Sequence, residues 1–505
     1  MKKRALLSVS DKRDIVYLAT ELLDLGYELI STGGTYEALV ASGLAVTKVS
    51  EVTGFPEILD GRVKTLHPLI HGGILAKRSP DHEEQCRKLG IGLIDVVAVN
   101  LYPFEETVAN PQVTRETAIE NIDIGGPSML RSAAKNHSYV SILVRPEQYR
   151  PFVAQLKETN EIDAATRLLL AREAFAHTAR YDALITSYLS KEMGETMPHW
   201  YQIQGEKRYD LRYGENPQQQ AAFYATENQG LAVAVQHGGK ELSFNNLMDL
   251  QAALDLVREF EKPACVIIKH TNPCGAALGA SLLEAYQKAY EADPVSAYGS
   301  IVGFNGLVDE KTAQELAKLF VEAVLAPGYT KEALLALQQK KSLRIMEVPL
   351  HVGPEEKEIK KVTGGFLLQT KDGKAPPPDF DWVHQEELDD TVEEDLLFAW
   401  TLVKHVKSNA IVVVKNNVSV GIGPGQTNRV GAAKIALEMA GDEAIDSVLA
   451  SDAFFPFRDT VDLAAEYGVR AIVQPGGSIR DEDSIAACQE KHVAMAFTGR
   501  RHFKH

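Results

Sequence analysis

Cysteine is scarce in this chain: there are four, Cys86, Cys265, Cys274 and Cys488, and no two of them form a C-x-x-C pair. That scatter excludes a zinc knuckle and a disulfide framework as organising features. Long apolar runs are also lacking. The stretch after MKKR is interrupted by Asp11, Lys12 and Arg13, so it is no secretory signal, and nothing approaches the ~20 apolar residues of a membrane span. The expectation is a cytoplasmic protein. There is no basic excess either. Against 53 Lys and Arg stand 69 Asp and Glu, a formal net charge of −16, which argues against a general nucleic-acid or anionic-membrane partner, since both reward a basic surface. A phosphorylated small molecule needs only a local basic pocket. With 45% hydrophobic and 24% charged residues over 505 positions, the chain is long and apolar enough for several domains of an ordinary globular enzyme.

What is present is an alternation of strand and helix signals. RALLSVSDK reads as a short strand with small polar residues at its end, followed by an amphipathic helix from about Arg13 to Leu25. YELISTGGT repeats the pattern, and Ser31, Thr32, Gly33, Gly34 and Thr35 offer hydroxyls and backbone N–H groups to a phosphate at a helix N-terminus; a plain capping turn is the competing reading. Residues 61–73, GRVKTLHPLIHGG, gather Arg62, Lys64, His67 and His71 in a glycine- and proline-punctuated segment, which predicts an anion-binding loop or a solvated basic one. Pro68 argues against a helical His-x-x-x-His metal pair. IGLIDVVAVNLYPF gives a strand from Ile94 to Val99 with Tyr102 near its carboxyl end. ENIDIGGPSMLRSAAKNH then supplies Asp123, a Gly-Gly-Pro helix start, Arg131 and Lys135. A helix from about Ala164 to Leu189 and the connection KEMGETMPHW close this part, whose spacing predicts a doubly wound parallel sheet.

The stretch ACVIIKHTNPCG, Ala264 to Gly275, is a strand apolar on both faces that ends on Lys269 and His270, with Asn272-Pro273 and Gly275 expected to stop it. An amine beside an imidazole at a strand's carboxyl end can polarise an oxygen and move a proton; a solvated pair is the bland alternative. Residues around 345–395 are charged and proline-rich and read as surface connection. In VKSNAIVVVKNNVSVGIGPGQTNR a strand, a turn at Asn416-Asn417 and a second strand precede Gly421, Gly423 and Gly425. That G-x-G-x-G is a weak dinucleotide signal, because Pro424 and the hairpin before it do not fit a βαβ unit.

Taken in order, SVSDK, STGGT, EVTGFPEILDGRVKTLHP, NLYPF, NIDIGGPSMLR and AAKNH, then LRYGENPQ, KHTNPCG, VKSNA, GIGPGQTNR, SDAFFPFRD and the RHFKH tail, resemble the bifunctional purine-biosynthesis enzymes that join AICAR formyltransferase to IMP cyclohydrolase. The resemblance implies an α/β protein: a methylglyoxal-synthase-like, doubly wound parallel sheet over residues 1–197, and two cytidine-deaminase-like α/β/α subdomains over 198–505. It implies formyl transfer from 10-formyltetrahydrofolate to AICAR, then dehydrative closure of formyl-AICAR to IMP. Ser10, Asp11, Lys12, Thr32, Gly33, Gly34, Thr35, Arg62, Lys64 and Thr65 would hold the nucleotide, and Lys64, Tyr102, Asp123 and Lys135 would surround the closing ring. Arg212, Asn246, Lys269, His270, Glu322, Asn409, Arg429, Phe454 and Arg501 would form the AICAR site, with His270 as proton acceptor and Lys269 as oxyanion stabiliser. No metal is expected, because Ala276 and Ala277 follow Gly275 where zinc deaminases carry cysteines. Tyr298 and Ser300 depart from the Phe-Gly-Gly common in the family. The resemblance also implies a homodimer, with Arg501 a candidate cross-subunit contact. A nucleotide-sensing binding protein is the rival; it would need the anion sites but has no use for Lys269-His270 or for Tyr102 with Lys135.

Overall fold

Runs of three to five apolar residues, too short for helices, build the sheets of both units of this computed structural model, which describes residues 2–351, 357–373 and 376–505. The units divide between Gln204 and Gly205. In the first, β1 (Arg4–Ser8), α1 (Ile15–Asp24), β2 (Glu28–Ser31), α2 (Gly33–Ala41), β3 (Thr47–Lys48), α3 (Pro68–Leu75), β4 (Val96–Val99), α4 (Gly125–Lys135), β5 (Ser141–Leu143) and α5 (Ala164–Glu192) follow one another. The strands lie in the order β3-β2-β1-β4-β5 and pair parallel throughout, with β4 wholly buried because helices cover both faces. Half of the segment expected as a basic loop is helix. Pro68 opens α3 at a position where its missing N–H costs nothing, and His67 caps it, Nδ1 accepting the Leu69 N–H at 3.2 Å.

The second unit is one motif written twice. β6 (Val235–Gly238), α6 (Phe244–Val257), β7 (Ala264–Lys269), β8 (Asn272–Leu278), α7 (Leu282–Ala292), β9 (Ile301–Phe304), β10 (Ala323–Ala326) and β11 (Arg344–Glu347) form the first copy. β12 (Asp381–His384), α8 (Asp390–Val403), β13 (Ile411–Lys415), β14 (Val418–Gly423), α9 (Arg429–Ala440), β15 (Val448–Ser451), β16 (Ala471–Gln474) and β17 (Ala494–Phe497) form the second. All twelve strands join in one sheet, β12-β17-β16-β15-β13-β14-β8-β7-β9-β10-β11-β6. Read outward from the β14–β8 joint, both halves have the same plan: an antiparallel hairpin, a strand antiparallel to it, two further strands parallel to that one, and an antiparallel edge strand. One face carries a continuous core to which both α6 and α8 contribute; on the other face the two copies keep separate cores.

Asn272 and Pro273 do not stop a strand, as the sequence led us to expect. They begin β8, and the reversal is the two-residue turn His270-Thr271, matched in the second copy by Asn416-Asn417. Within the stretch 345–395, residues 352–356 and 374–375 lie outside those described; the rest is more regular than a connection, with an exposed hairpin of Lys357–Val362 and Gly365–Thr370 and the edge strand β12. Gly421 and Gly423 of the G-x-G-x-G belong to packing, whereas a Cβ on Gly425 would meet nothing and its φ is +68°. A Cβ on Gly421 would lie 1.9 Å from the Ala436 carbonyl oxygen of α9, and one on Gly423 2.0 Å from that of Ala432; Gly275 meets Ala289 of α7 in the same way, at 2.1 Å.

Gly421→Ala is therefore expected to destabilise the chain by about 3 kcal/mol, near the upper end of overpacking costs, because the obstacle is helix backbone rather than a side chain that can swing away. A shift of the urea unfolding midpoint at unchanged slope measures it.

Candidate active sites

In the first unit the carboxyl ends of β1, β2 and β4 share one edge of the parallel sheet, where loops can converge on a ligand. Asn100 organises that edge. Its Oδ1 accepts the N–H groups of Ser10 (2.6 Å) and Asp11 (2.9 Å), and its Nδ2 donates to the Asp11 carbonyl (3.1 Å). Sequence reasoning passed over Asn100, although it sits between β4 and Tyr102. The buried Thr35 hydroxyl is spent on Val9, donating to its carbonyl and accepting its N–H, both at 2.9 Å. Thr32 precedes α2 without a side-chain capping bond, so the capping reading does not account for it. Two ammonium groups lie close to the start of α2: a Cβ on Gly33 would stand 3.6 Å from Lys64 Nζ, and one on Gly34 3.6 Å from Lys12 Nζ.

Asp123 lies at the start of α4. Burial pushes its carboxyl pKa up, while the N–H groups of Gly126, Tyr102 and Gly125 and the Lys64 charge pull it down; the net direction is upward. A Cβ on Gly125 would meet Thr65 Oγ1 at 2.9 Å, so Thr65 closes the same corner. Lys12, Lys64, Thr65, the exposed Tyr102 and Asp123 are thus neighbours of the α2 and α4 N-termini. Arg62 is paired with Glu120 and Asp11 with Arg13 at the rim. Lys135 stands apart. It ends α4, about 15 Å along the axis from Gly125 at 1.5 Å per residue, and lines a cavity of about 590 Å³ with Arg131, His137, Arg172 and Phe175.

In the second unit Lys269 ends β7 and His270 is exposed at the turn. Lys269 Nζ donates to the carbonyls of Tyr298 (2.9 Å) and Ser296 (3.2 Å), which fixes its ammonium beside the segment that departs from the family pattern. Ser300 and Glu322 are linked by backbone, and Glu322 carries an ion pair to Arg344 at 2.6 Å. From the other side Asn272 Oδ1 accepts the Lys407 N–H at 3.0 Å. That bond ties the hairpin to Lys407, Ser408 and Asn409, which in turn bond Gly425, Gln426, Asp452 and the tail residue Lys504. Just upstream a buried Glu259 holds Lys404 (2.8 Å) and His405 (3.2 Å); burial would raise its carboxyl, but these partners hold it at about 2.

Two expected substrate contacts turn out to be engaged with the protein itself. Asn246 is the third residue of α6, where its Oδ1 accepts the Ser243 N–H in a capping box. Arg429 is buried, its Nη1 bonded to Asp452 and to the Ala410 carbonyl (3.0 Å) and its Nη2 to Asn409 Oδ1 (2.8 Å). It stands behind Asn409. Arg212, Phe454 and Arg501 are exposed, Arg501 lying 4.5 Å over the Phe503 ring. Among the described residues no group of three or more His, Cys, Asp or Glu could hold a metal ion, and no helix is long and apolar enough to cross a membrane.

Comparison with known proteins gives matches over both units. A family model described as AICARFT/IMPCHase bienzyme matches residues 133–439, and one described as MGS-like domain matches residues 14–128. The bifunctional purine biosynthesis protein PurH of Bacillus mycoides (strain KBAB4) is 53% identical over 511 aligned residues, covering 100% of both chains. PurH of Bacillus cereus (strain 03BB102) is 52% identical over 522 residues, again covering 100% of both. A solved chain titled "Crystal structure of ForH" is 37% identical, covers 37% of this chain and 98% of its own length, and has a TM-score of 0.34.

Removing Arg429 leaves Asp452 as an unpaired buried charge. Arg429→Ala is expected to cost about 3–5 kcal/mol of stability in urea unfolding, and Arg429→Lys to recover little, because a single ammonium cannot replace a planar fork that serves three acceptors.

Proposed function

The chain belongs to the bifunctional purine-biosynthesis family that joins AICAR formyltransferase to IMP cyclohydrolase, and from that premise we propose which of its residues perform each reaction. The enzyme transfers a formyl group from 10-formyltetrahydrofolate to the 5-amino group of AICAR and then closes formyl-AICAR to IMP with loss of water. Formyl transfer belongs to the second unit and ring closure to the first.

The observation that carries the assignment is the placement of Lys269 and His270 at the tip of a buried hairpin, one ammonium held at 2.9 Å by the Tyr298 carbonyl and one imidazole exposed beside it. The AICAR amine is a poor nucleophile, since its lone pair is delocalised into the ring and carboxamide. His270 accepts its proton as it attacks the formyl carbon, and Lys269 stabilises the oxyanion formed there. Collapse of that oxyanion breaks the bond to the folate nitrogen, which takes up a proton and leaves as tetrahydrofolate. General-base and oxyanion contributions are each on the order of 10²- to 10⁴-fold. Asn409, oriented by Arg429, and the exposed Arg212 and Arg501 position the nucleotide. In the first unit Lys12, Thr32, Lys64 and Thr65 hold the nucleotide of formyl-AICAR at the start of α2. Lys64, Tyr102 and Asp123 move protons and stabilise the oxyanion as the carboxamide nitrogen closes on the formyl carbon. Asp123, its carboxyl pKa raised by burial, is suited to hold a proton for the departing water. Lys135 faces its own basic cavity, so ring closure is assigned first to the other three. We place the enzyme in the cytoplasm as a homodimer, with Arg501 and Phe503 of the exposed tail among the contacts.

His270→Ala should lower kcat for formyl transfer by on the order of 10²-fold or more with little change in KM for AICAR, and leave cyclisation of supplied formyl-AICAR untouched. A normal kcat with a raised KM would make His270 a binding residue instead. Sedimentation of the active enzyme should give a dimer; a fully active monomer would refute the cross-subunit role of Arg501.

A further inference from the structure

His270 and Thr271 occupy a conformation that is uncommon outside glycine and that disfavours the threonine most. Their φ values are +54° and +62°, the left-handed region that a two-residue hairpin turn demands and that a β-branched threonine seldom enters. The second copy of the motif meets the same demand with Asn416 and Asn417, at +55° and +58°, and asparagine tolerates that region. The two turns are otherwise built alike. Asp249, His270 and Gly275 recur 146 residues on as Asp395, Asn416 and Gly421. In the second copy the Asp395 carboxylate, on α8, accepts the N–H groups of Asn416 (2.8 Å) and Asn417 (2.5 Å). In the first, Asp249 on α6 accepts the Thr271 N–H at 2.6 Å, and the His270 backbone also bonds it. Asparagine at both turn positions would make the fold easier. A histidine and a threonine in their place are retained at a conformational cost, and the carboxylate beneath is what holds them there.

We propose that Asp249 is a positioning residue for formyl transfer: its carboxylate oxygen locks the His270-Thr271 turn in the left-handed conformation and so aims the imidazole at the substrate amine. Asp249 itself touches no substrate; it acts through His270, and the inference rests on the reading of His270 as proton acceptor. Asp395 performs the same backbone task under a turn with no chemistry, which supplies an internal control.

The test uses the full chain, assayed for both reactions from one preparation. Asp249→Ala should lower formyl-transfer kcat at least tenfold, since displacing a catalytic group by about 1 Å typically costs on the order of 10²-fold, with KM for AICAR within about threefold and cyclisation unchanged. Asp249→Asn, whose amide oxygen still accepts the Thr271 N–H, should keep most of the activity. Asp249→Ala combined with Thr271→Gly should regain much of it, because glycine adopts positive φ without the steric penalty. Asp395→Ala should lower the unfolding midpoint with no selective loss of kcat. A wild-type kcat in Asp249→Ala overturns the inference, as does an Asp249→Asn enzyme no better than Asp249→Ala. Should Asp249→Ala fail to fold, Asp249→Glu decides: it keeps the charge but displaces the oxygen by one methylene, so reduced kcat at constant KM supports the proposal and an unchanged kcat overturns it. Failure of the underlying reading looks different, for then His270→Ala keeps its kcat, whereas failure of this inference alone leaves His270→Ala inactive and Asp249→Ala normal.

Discussion

Backbone N–H groups at the tip of a tight hairpin face away from their own ladder, and where the tip is packed against other elements they need an acceptor from elsewhere. In the second unit that acceptor is a single carboxylate projected from the helix beneath, once in each copy of the motif. Burial pushes both Asp249 and Asp395 toward the protonated form, and the turn N–H groups pull the other way. In the first copy that carboxylate lies beneath the two-residue turn joining β7 to β8, beside which Lys269 and His270 leave the sheet.

Around that tip the main chain is held by a chain of side-chain hydrogen bonds. Asn272 fastens the hairpin to Lys407, Ser408 exchanges bonds with Lys504 and Asp452, and Asp452 binds Arg429, which orients Asn409. Each link is a polar group that is costly to leave unpaired in a low-dielectric interior. The candidate site of the first unit is simpler. Its lysines and hydroxyls gather at helix N-termini on one edge of a parallel sheet, with Asn100 as the pin for the loop after β1.

Much of this was legible in the chain itself. The parallel sheet was legible in the alternation of the first two hundred residues, because β1, β2 and β4 are short apolar runs separated by helix signals; β3, only Thr47 and Lys48, carries no such signal. The position of Lys269 and His270 at a hairpin tip was legible because a wholly apolar strand ended on two reactive side chains. The turn was misread: Asn272-Pro273 looks like a breaker, yet Pro273 sits in a strand where the pairing register shifts, which spares the bond its missing N–H would have made. The protein partners of Arg429, Asp452 and Asn409, were not legible, because residue type and motif say nothing of groups that arrive from other parts of the chain. Asp249 was passed over although its signal was present, since the 146-residue recurrence of Asp, turn and Gly is written in the sequence and only the fold gives it meaning.

The two hairpins lie back to back across the β8–β14 joint, and because those strands run antiparallel their tips emerge at opposite ends of the sheet. The architecture therefore offers two equivalent positions per chain, related by an approximate twofold axis, each with a lysine closing a buried strand and a carboxylate under the turn. Only one was furnished with an imidazole. The Asn416-Asn417 end has the same scaffold without the side chain, so a single polypeptide carries two copies of one turn: one in residues that settle easily at positive φ, the other with a β-branched threonine held there.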